Sequence, residues 1–103
     1  MKIKIVKMNN RHKGSPHFKY YASIEKRRYN THEEAVYTIT EMRTWCWENF
    51  GPSLTIEELV ILKFHGYDVD KKWAWMDDSG YSNHRFYFLD DDTLAWFIMR
   101  WSE

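Results

Sequence analysis

The chain has 103 residues, 44% of them hydrophobic and 18% aromatic, with 15 Lys+Arg balanced by 15 Asp+Glu. Aromatic side chains at this density offset the entropy cost of ordering a chain and exclude a disordered or low-complexity protein, and no apolar run approaches the ~20 residues of a membrane span. One cysteine, Cys46, forbids an internal disulfide, and the length is that of one domain covering 1–103.

Ile3, Ile5 and Met8, interleaved with Lys2, Lys4 and Lys7, predict a strand, with a break in alternation at Val6. The charges along this segment do not read as a secretion signal. Residues 9–16 (NNRHKGSP) are dense in turn formers and read as a loop. Alternation returns over 17–25, with Phe18, Tyr20, Ala22 and Ile24 on one face and Lys19, Tyr21, Ser23 and Glu25 on the other, so the two strands make a hairpin.

Thr31 and Glu34 have capping-box spacing, and Ala35, Ile39, Met42 and Cys46 then repeat at helical spacing until Gly51-Pro52 stops the helix. Residues 53–66 are ambiguous: Thr55 and Glu58 form a second capping-box pair and Gly66 suits a helix end, while Leu59-Val60-Ile61-Leu62 also fits a buried strand. A short helix is the favoured reading. A strand over 72–76, a turn at Asp77-Asp78-Ser79-Gly80 and a strand over 85–89 follow. Asp90 then caps a helix whose Leu94, Phe97, Ile98 and Trp101 share a stripe. The order predicts an α+β domain: an antiparallel sheet of two hairpins with two main helices packed on one face.

The balanced charge is segregated along the chain. Residues 1–28 carry nine Lys/Arg against one acid, a net +8, and the remainder carries six against fourteen, a net −8. Such a dipole steers partners of opposite charge; Lys on short edge strands also simply discourages aggregation.

Little here points to catalysis. The five histidines and Cys46 lack metal-ligand spacing, Cys46 lies on the apolar stripe of its helix, and no phosphate-binding glycine loop occurs. The acidic groups Asp68/Asp70, Asp77/Asp78 and Asp90-Asp91-Asp92 have simpler roles in loops, turns and caps. No enzyme activity, cofactor or metal is expected. Two binding modes remain. Arg11, Lys13, Lys19, Arg27 and Arg28 around Tyr21 form a basic, aromatic hairpin suited to single-stranded nucleic acid. Against this, the remaining surface is acidic enough to repel a long polyanion. Six tryptophans are many for one small core, and on an ideal helix Trp45 and Trp47 point about 200° apart, so both cannot face inward. Trp96 lies off the stripe of its own helix. Trp45, Trp47 and Trp96 are therefore the candidate anchors for a protein partner, or for a second copy of the chain. The bland reading is an aromatic core that spreads around both helices.

The C-terminal run Phe86-Tyr87-Phe88-Leu89-Asp90-Asp91-Asp92, with Ala95, Phe97 and Arg100-Trp101-Ser102 after it, resembles the ending of small accessory proteins of tailed bacteriophages. Trp45-Cys46-Trp47-Glu48-Asn49-Phe50-Gly51-Pro52 is similar in character. The resemblance implies a phage-encoded protein that works in the bacterial host's cytoplasm by binding and disabling a host protein.

Overall fold

Strands β1 (Ile3–Lys7) and β2 (Tyr20–Glu25) pair antiparallel, with Ile3 opposite Ile24 and Ile5 opposite Ala22. β3 (Trp73–Met76) and β4 (Asn83–Phe88) form a second antiparallel pair, with Trp73 opposite Phe88 and Trp75 opposite Phe86. β2 joins β4, also antiparallel, and the four strands lie in the order β1-β2-β4-β3. Among the described residues three helices complete the fold: α1 (His32–Phe50), α2 (Ile56–Phe64) and α3 (Asp91–Trp101). The computed structural model describes residues 3–9, 11–12, 17–25, 32–76 and 83–101. The turn at Asp77-Asp78-Ser79-Gly80 and the Thr31–Glu34 capping box lie outside what is described, as do positions 13–16 of the first loop.

The sheet has two apolar faces. On one, Ala22, Ile24, Phe86, Phe88 and Trp73 meet Ile39, Met42 and Cys46 of α1 and Leu94 and Phe97 of α3. This is the expected arrangement of two helices on one face. On the other, Tyr21, Tyr87 and Ala74 are covered by Ile56 and Leu59 of α2 together with Met8 and Phe18. Because the central strands are covered on both sides, the simple in/out alternation read from the sequence holds only in part. Met8 does not share a face with Ile3 and Ile5 but belongs to the second cluster with Val6, which accounts for the break in alternation at Val6. Phe18 precedes the first paired residue and turns its ring towards Tyr87, at 6.3 Å between centroids, rather than joining Tyr20, Ala22 and Ile24. Tyr21 and Ser23, expected on the polar face of β2, are buried. Burial pushes the Tyr87 hydroxyl up from its ordinary pKa, an effect partly opposed by Arg85 beside it.

The ambiguous segment becomes helical because both its ends are satisfied. The Glu58 N–H donates to Thr55 Oγ1 at 3.2 Å and the Thr55 N–H to Glu58 Oε1 at 3.3 Å, closing the capping box, while Gly66 at φ +87° takes the left-handed turn at its end. Gly51, at φ +92°, ends α1 in the same way, its N–H bonded to the Trp47 carbonyl at 3.0 Å. The loop that follows is stitched along β3. Trp73 Nε1 donates to the Gly51 carbonyl at 2.7 Å, the buried Ser53 hydroxyl donates to the Trp73 carbonyl, and Thr55 forms a parallel bridge with Trp75.

Asp90 caps α3: the Thr93 N–H donates to Asp90 Oδ1 at 2.9 Å and the Thr93 hydroxyl at 2.7 Å. These hydrogen bonds, with smaller help from Lys19 and Lys72, hold the carboxyl below its ordinary pKa. A carboxyl depressed in the folded state stabilises the fold above its unfolded pKa, and that contribution disappears as pH falls through the folded value. The expected outcome is that Asp90→Asn, which keeps an accepting oxygen, flattens the decline in Tm below about pH 4. Thermal melts of both proteins between pH 2.5 and pH 6 check this; parallel curves would remove Asp90 from the acid response.

Candidate functional site

The inward row of α1, Ile39, Met42 and Cys46, leaves the flanking positions of the helix facing out on either side. On the side towards β3, a cleft of about 420 Å³ is lined by Thr40, Arg43, Thr44, Trp47, Trp73 and Trp75, with Glu48, which also borders the second cleft, at its edge. Trp47 is 48% exposed and forms its outer wall, and the Arg43 guanidinium lies over the Trp75 ring at 5.6 Å. On the side towards α3, a second cleft of about 310 Å³ is lined by Tyr37, Glu41, Trp45, Glu48, Arg100 and Trp101. A smaller hollow of about 200 Å³, where Asn49 and Phe50 end α1, is bordered by Lys72, Asp92 and Trp96. Trp96 is 60% exposed. All three hollows border α1, so this helix is a ridge between them.

The three candidate tryptophans divide as helical geometry requires. Trp47 and Trp96 point outward. Trp45 is half-buried and packs edge-on against Phe50 at 5.3 Å and Trp101 at 6.3 Å, joining the core to the second cleft. The Trp101 indole N–H is enclosed and meets no acceptor among the described residues, an arrangement that costs stability wherever it persists.

The basic candidates are arranged differently. Arg11 and Lys19 are exposed, the Arg11 backbone N–H donating to Asn9 Oδ1 at 2.9 Å. Lys13, Arg27 and Arg28 lie outside the described residues. Tyr21 does not share an open face with Lys19: its ring is 8% exposed, with the Arg85 guanidinium over it at 4.4 Å and His12 edge-on at 5.6 Å. The reason is β2's position in the middle of a sheet covered on both sides, and a ring so enclosed offers no face for stacking a base.

Among the described residues no group of three His, Cys, Asp or Glu side chains is placed to hold a metal ion. His12 and His17 have partners within the chain: the Asn9 N–H donates to His12 Nδ1 at 3.0 Å, and His17 Nε2 lies 2.8 Å from the Lys71 carbonyl. Cys46 is fully enclosed, and burial pushes its thiol well above the ordinary range, far from the thiolate that nucleophilic chemistry needs. The native protein is therefore expected to resist iodoacetamide and to be alkylated once urea unfolds it. Rapid labelling of the folded chain, read by intact mass, would show that the thiol is reachable.

The sequence reading missed the clefts, although it named a tryptophan of each: Trp47 in the first, Trp45 in the second and Trp96 beside the third. The signal was present in two rows of α1: Thr40-Arg43-Trp47, and Tyr37-Glu41-Thr44-Glu48, both at helical spacing. What it lacked was the opposite wall, Trp73 and Trp75 in one case and Arg100 and Trp101 in the other, which only the fold supplies. No helix among the described residues is long and apolar enough to cross a membrane. Comparison with protein-family models, curated proteins and solved structures finds no match.

Proposed function

We propose that the chain is a non-enzymatic binding protein that engages another protein through the α1 ridge and its flanking hollows. The observation that carries this reading is the outward placement of Trp47 and Trp96 beside preformed concave surfaces. Large amphipathic rings at the rim of such hollows are the side chains that most often anchor protein interfaces, and burying them in a partner recovers the apolar area they now expose. The two segments that resemble phage accessory proteins include these same elements, and they support a host protein as the partner, modulated or inhibited on binding in the bacterial cytoplasm.

Nucleic-acid binding through the basic hairpin is the second reading. Of its basic candidates, Arg11 and Lys19 are exposed, and it loses Tyr21 as a stacking platform.

The test is affinity capture from bacterial lysate, with and without nuclease, using the wild type and a Trp47→Ala/Trp96→Ala variant. A stoichiometric protein is expected to survive nuclease and to be lost by at least about thirty-fold in the variant, since interface anchors of this kind typically contribute about 2 kcal/mol or more each. The variant's urea midpoint should stay close to wild type, because exposed substitutions usually change stability by only about 0.5 kcal/mol. Capture of nucleic acid alone, with every protein released on digestion, would overturn the reading in favour of the hairpin.

A further inference from the structure

We infer that the cleft between α1 and α3 is a receptor for an arginine side chain of the partner protein. The inference rests on the protein-binding reading above and names the chemistry of one contact within it.

The cleft joins two features. Its walls are aromatic: Tyr37, Trp45 and Trp101, with the Trp45 and Trp101 rings nearly perpendicular at 87°. Tyr37 is 67% exposed, so its ring is open to an incoming group. Its rim is acidic: Glu41 and Glu48 lie seven residues apart on α1, about 10 Å along the axis, and bracket the opening from the same side of the helix. Neither carboxylate has an ion-pair partner among the described residues. Ring faces attract cations through their quadrupole, and carboxylates at the rim add Coulomb attraction without sealing the entrance.

The chain itself shows which cation suits such walls. Among the described residues three arginines stack on aromatic rings: Arg85 over Tyr21 at 4.4 Å, Arg43 over Trp75 at 5.6 Å and Arg100 over Trp101 at 4.1 Å. The last of these lines the cleft. A guanidinium is planar and weakly hydrated, so it can stack on a ring while its edge donates to a carboxylate; the compact, strongly hydrated ammonium of lysine does this less well. An anion is the opposite choice, attracted by Arg100, but it would have to approach two carboxylates that have no ion-pair partner among the described residues. The rim therefore favours a cation. Arg100 now occupies one ring face and competes with the incoming group.

The test uses N-acetyl-arginine N-methylamide as the probe and its neutral citrulline counterpart, of nearly the same shape, as the control. The readout is the set of indole N–H signals in a two-dimensional NMR spectrum, in which Trp45 and Trp101 report on the cleft. A saturable shift of these two signals is expected, with a midpoint of roughly millimolar for a single residue. The citrulline probe should bind at least about ten-fold more weakly, as should the arginine probe to a Glu41→Gln/Glu48→Gln variant, and added salt should weaken binding. Arg100→Gln, which removes the competing cation, should strengthen binding several-fold. These side chains line the surface, and thermal melts are the check that the variants fold.

Equal binding of the two probes, or no saturable shift, would overturn the proposal. Weaker binding to Arg100→Gln would do so as well, since Arg100 would then support the probe and not compete with it for the ring face. Self-association of the wild type that disappears in the Glu41→Gln/Glu48→Gln variant would make the occupant a second copy and overturn the assignment to a foreign partner. The Trp47→Ala/Trp96→Ala variant lies outside the cleft and should titrate normally. Normal titration without any partner that depends on those tryptophans would leave the cleft standing and remove the wider interface. Capture through them without arginine binding would remove the cleft alone.

Discussion

Replacing Trp73 with alanine is expected to lower the stability of the fold by about 3–5 kcal/mol, a large share of what a small domain possesses. Trp73 is 0% exposed and lies near Trp75 and Phe86, with centroids 5.2 and 6.5 Å away. Truncation leaves a cavity the size of an indole at the junction of α1, β3 and β4. It also strands the Gly51 carbonyl, which now accepts the indole N–H at 2.7 Å. Trp73→Phe separates the two effects, keeping most of the ring volume and losing the hydrogen bond, and should fall between wild type and alanine. Trp101→Phe is the contrast, because its N–H has no acceptor among the described residues and its loss costs little polar energy. Urea unfolding measures all three; a loss below about 1 kcal/mol for Trp73→Ala would show that the site collapses around the cavity.

The second large effect is expected from Phe97→Ala, again about 3–5 kcal/mol. The Phe97 ring is fully buried and touches three others: Phe88 at 4.8 Å, Phe86 at 5.4 Å and Trp45 at 6.3 Å between centroids. It links α3 to the sheet and to α1, so its removal loosens both main helices at once. Trp96, one residue earlier and larger, should change stability by about 0.5 kcal/mol or less when truncated, since most of its surface is already in water. Neighbouring aromatics with opposite outcomes make a sharp comparison. A large loss at Trp96 would place that ring in the core and take away an anchor of the proposed interface.

Much of the fold was legible because its signals are local. The Thr55–Glu58 box, the Asp90 cap, the two helix-ending glycines and the stripe Leu94, Phe97, Ile98 and Trp101 each operate within a few residues of chain, and each is found where spacing put it. The strand faces were less legible because burial is not local. Nothing in residues 17–25 indicates that α2 will cover their second face, so Tyr21 and Ser23 read as outward-facing and Phe18 as a partner of Tyr20. The same limit applied to the clefts. Trp47 and Trp96 could be assigned an outward direction from helical geometry alone, but a concave surface needs two walls, and those walls come from segments about 30 to 60 residues apart in sequence.

The stitches that bind the 51–55 loop to β3 also set how this protein can polymerise. A sheet that stacks copies without limit must offer two open borders, one to receive a strand and one to donate. Here the β3 border is already occupied by the chain's own backbone and the Ser53 hydroxyl, while nothing among the described residues pairs with the outer border of β1. Strand-to-strand growth from the folded state can therefore join two molecules through β1 and then has nowhere to continue. Fibre formation by this route must first unpick the loop, which couples it to breaking the Trp73 hydrogen bonds and so to the stability of the whole domain.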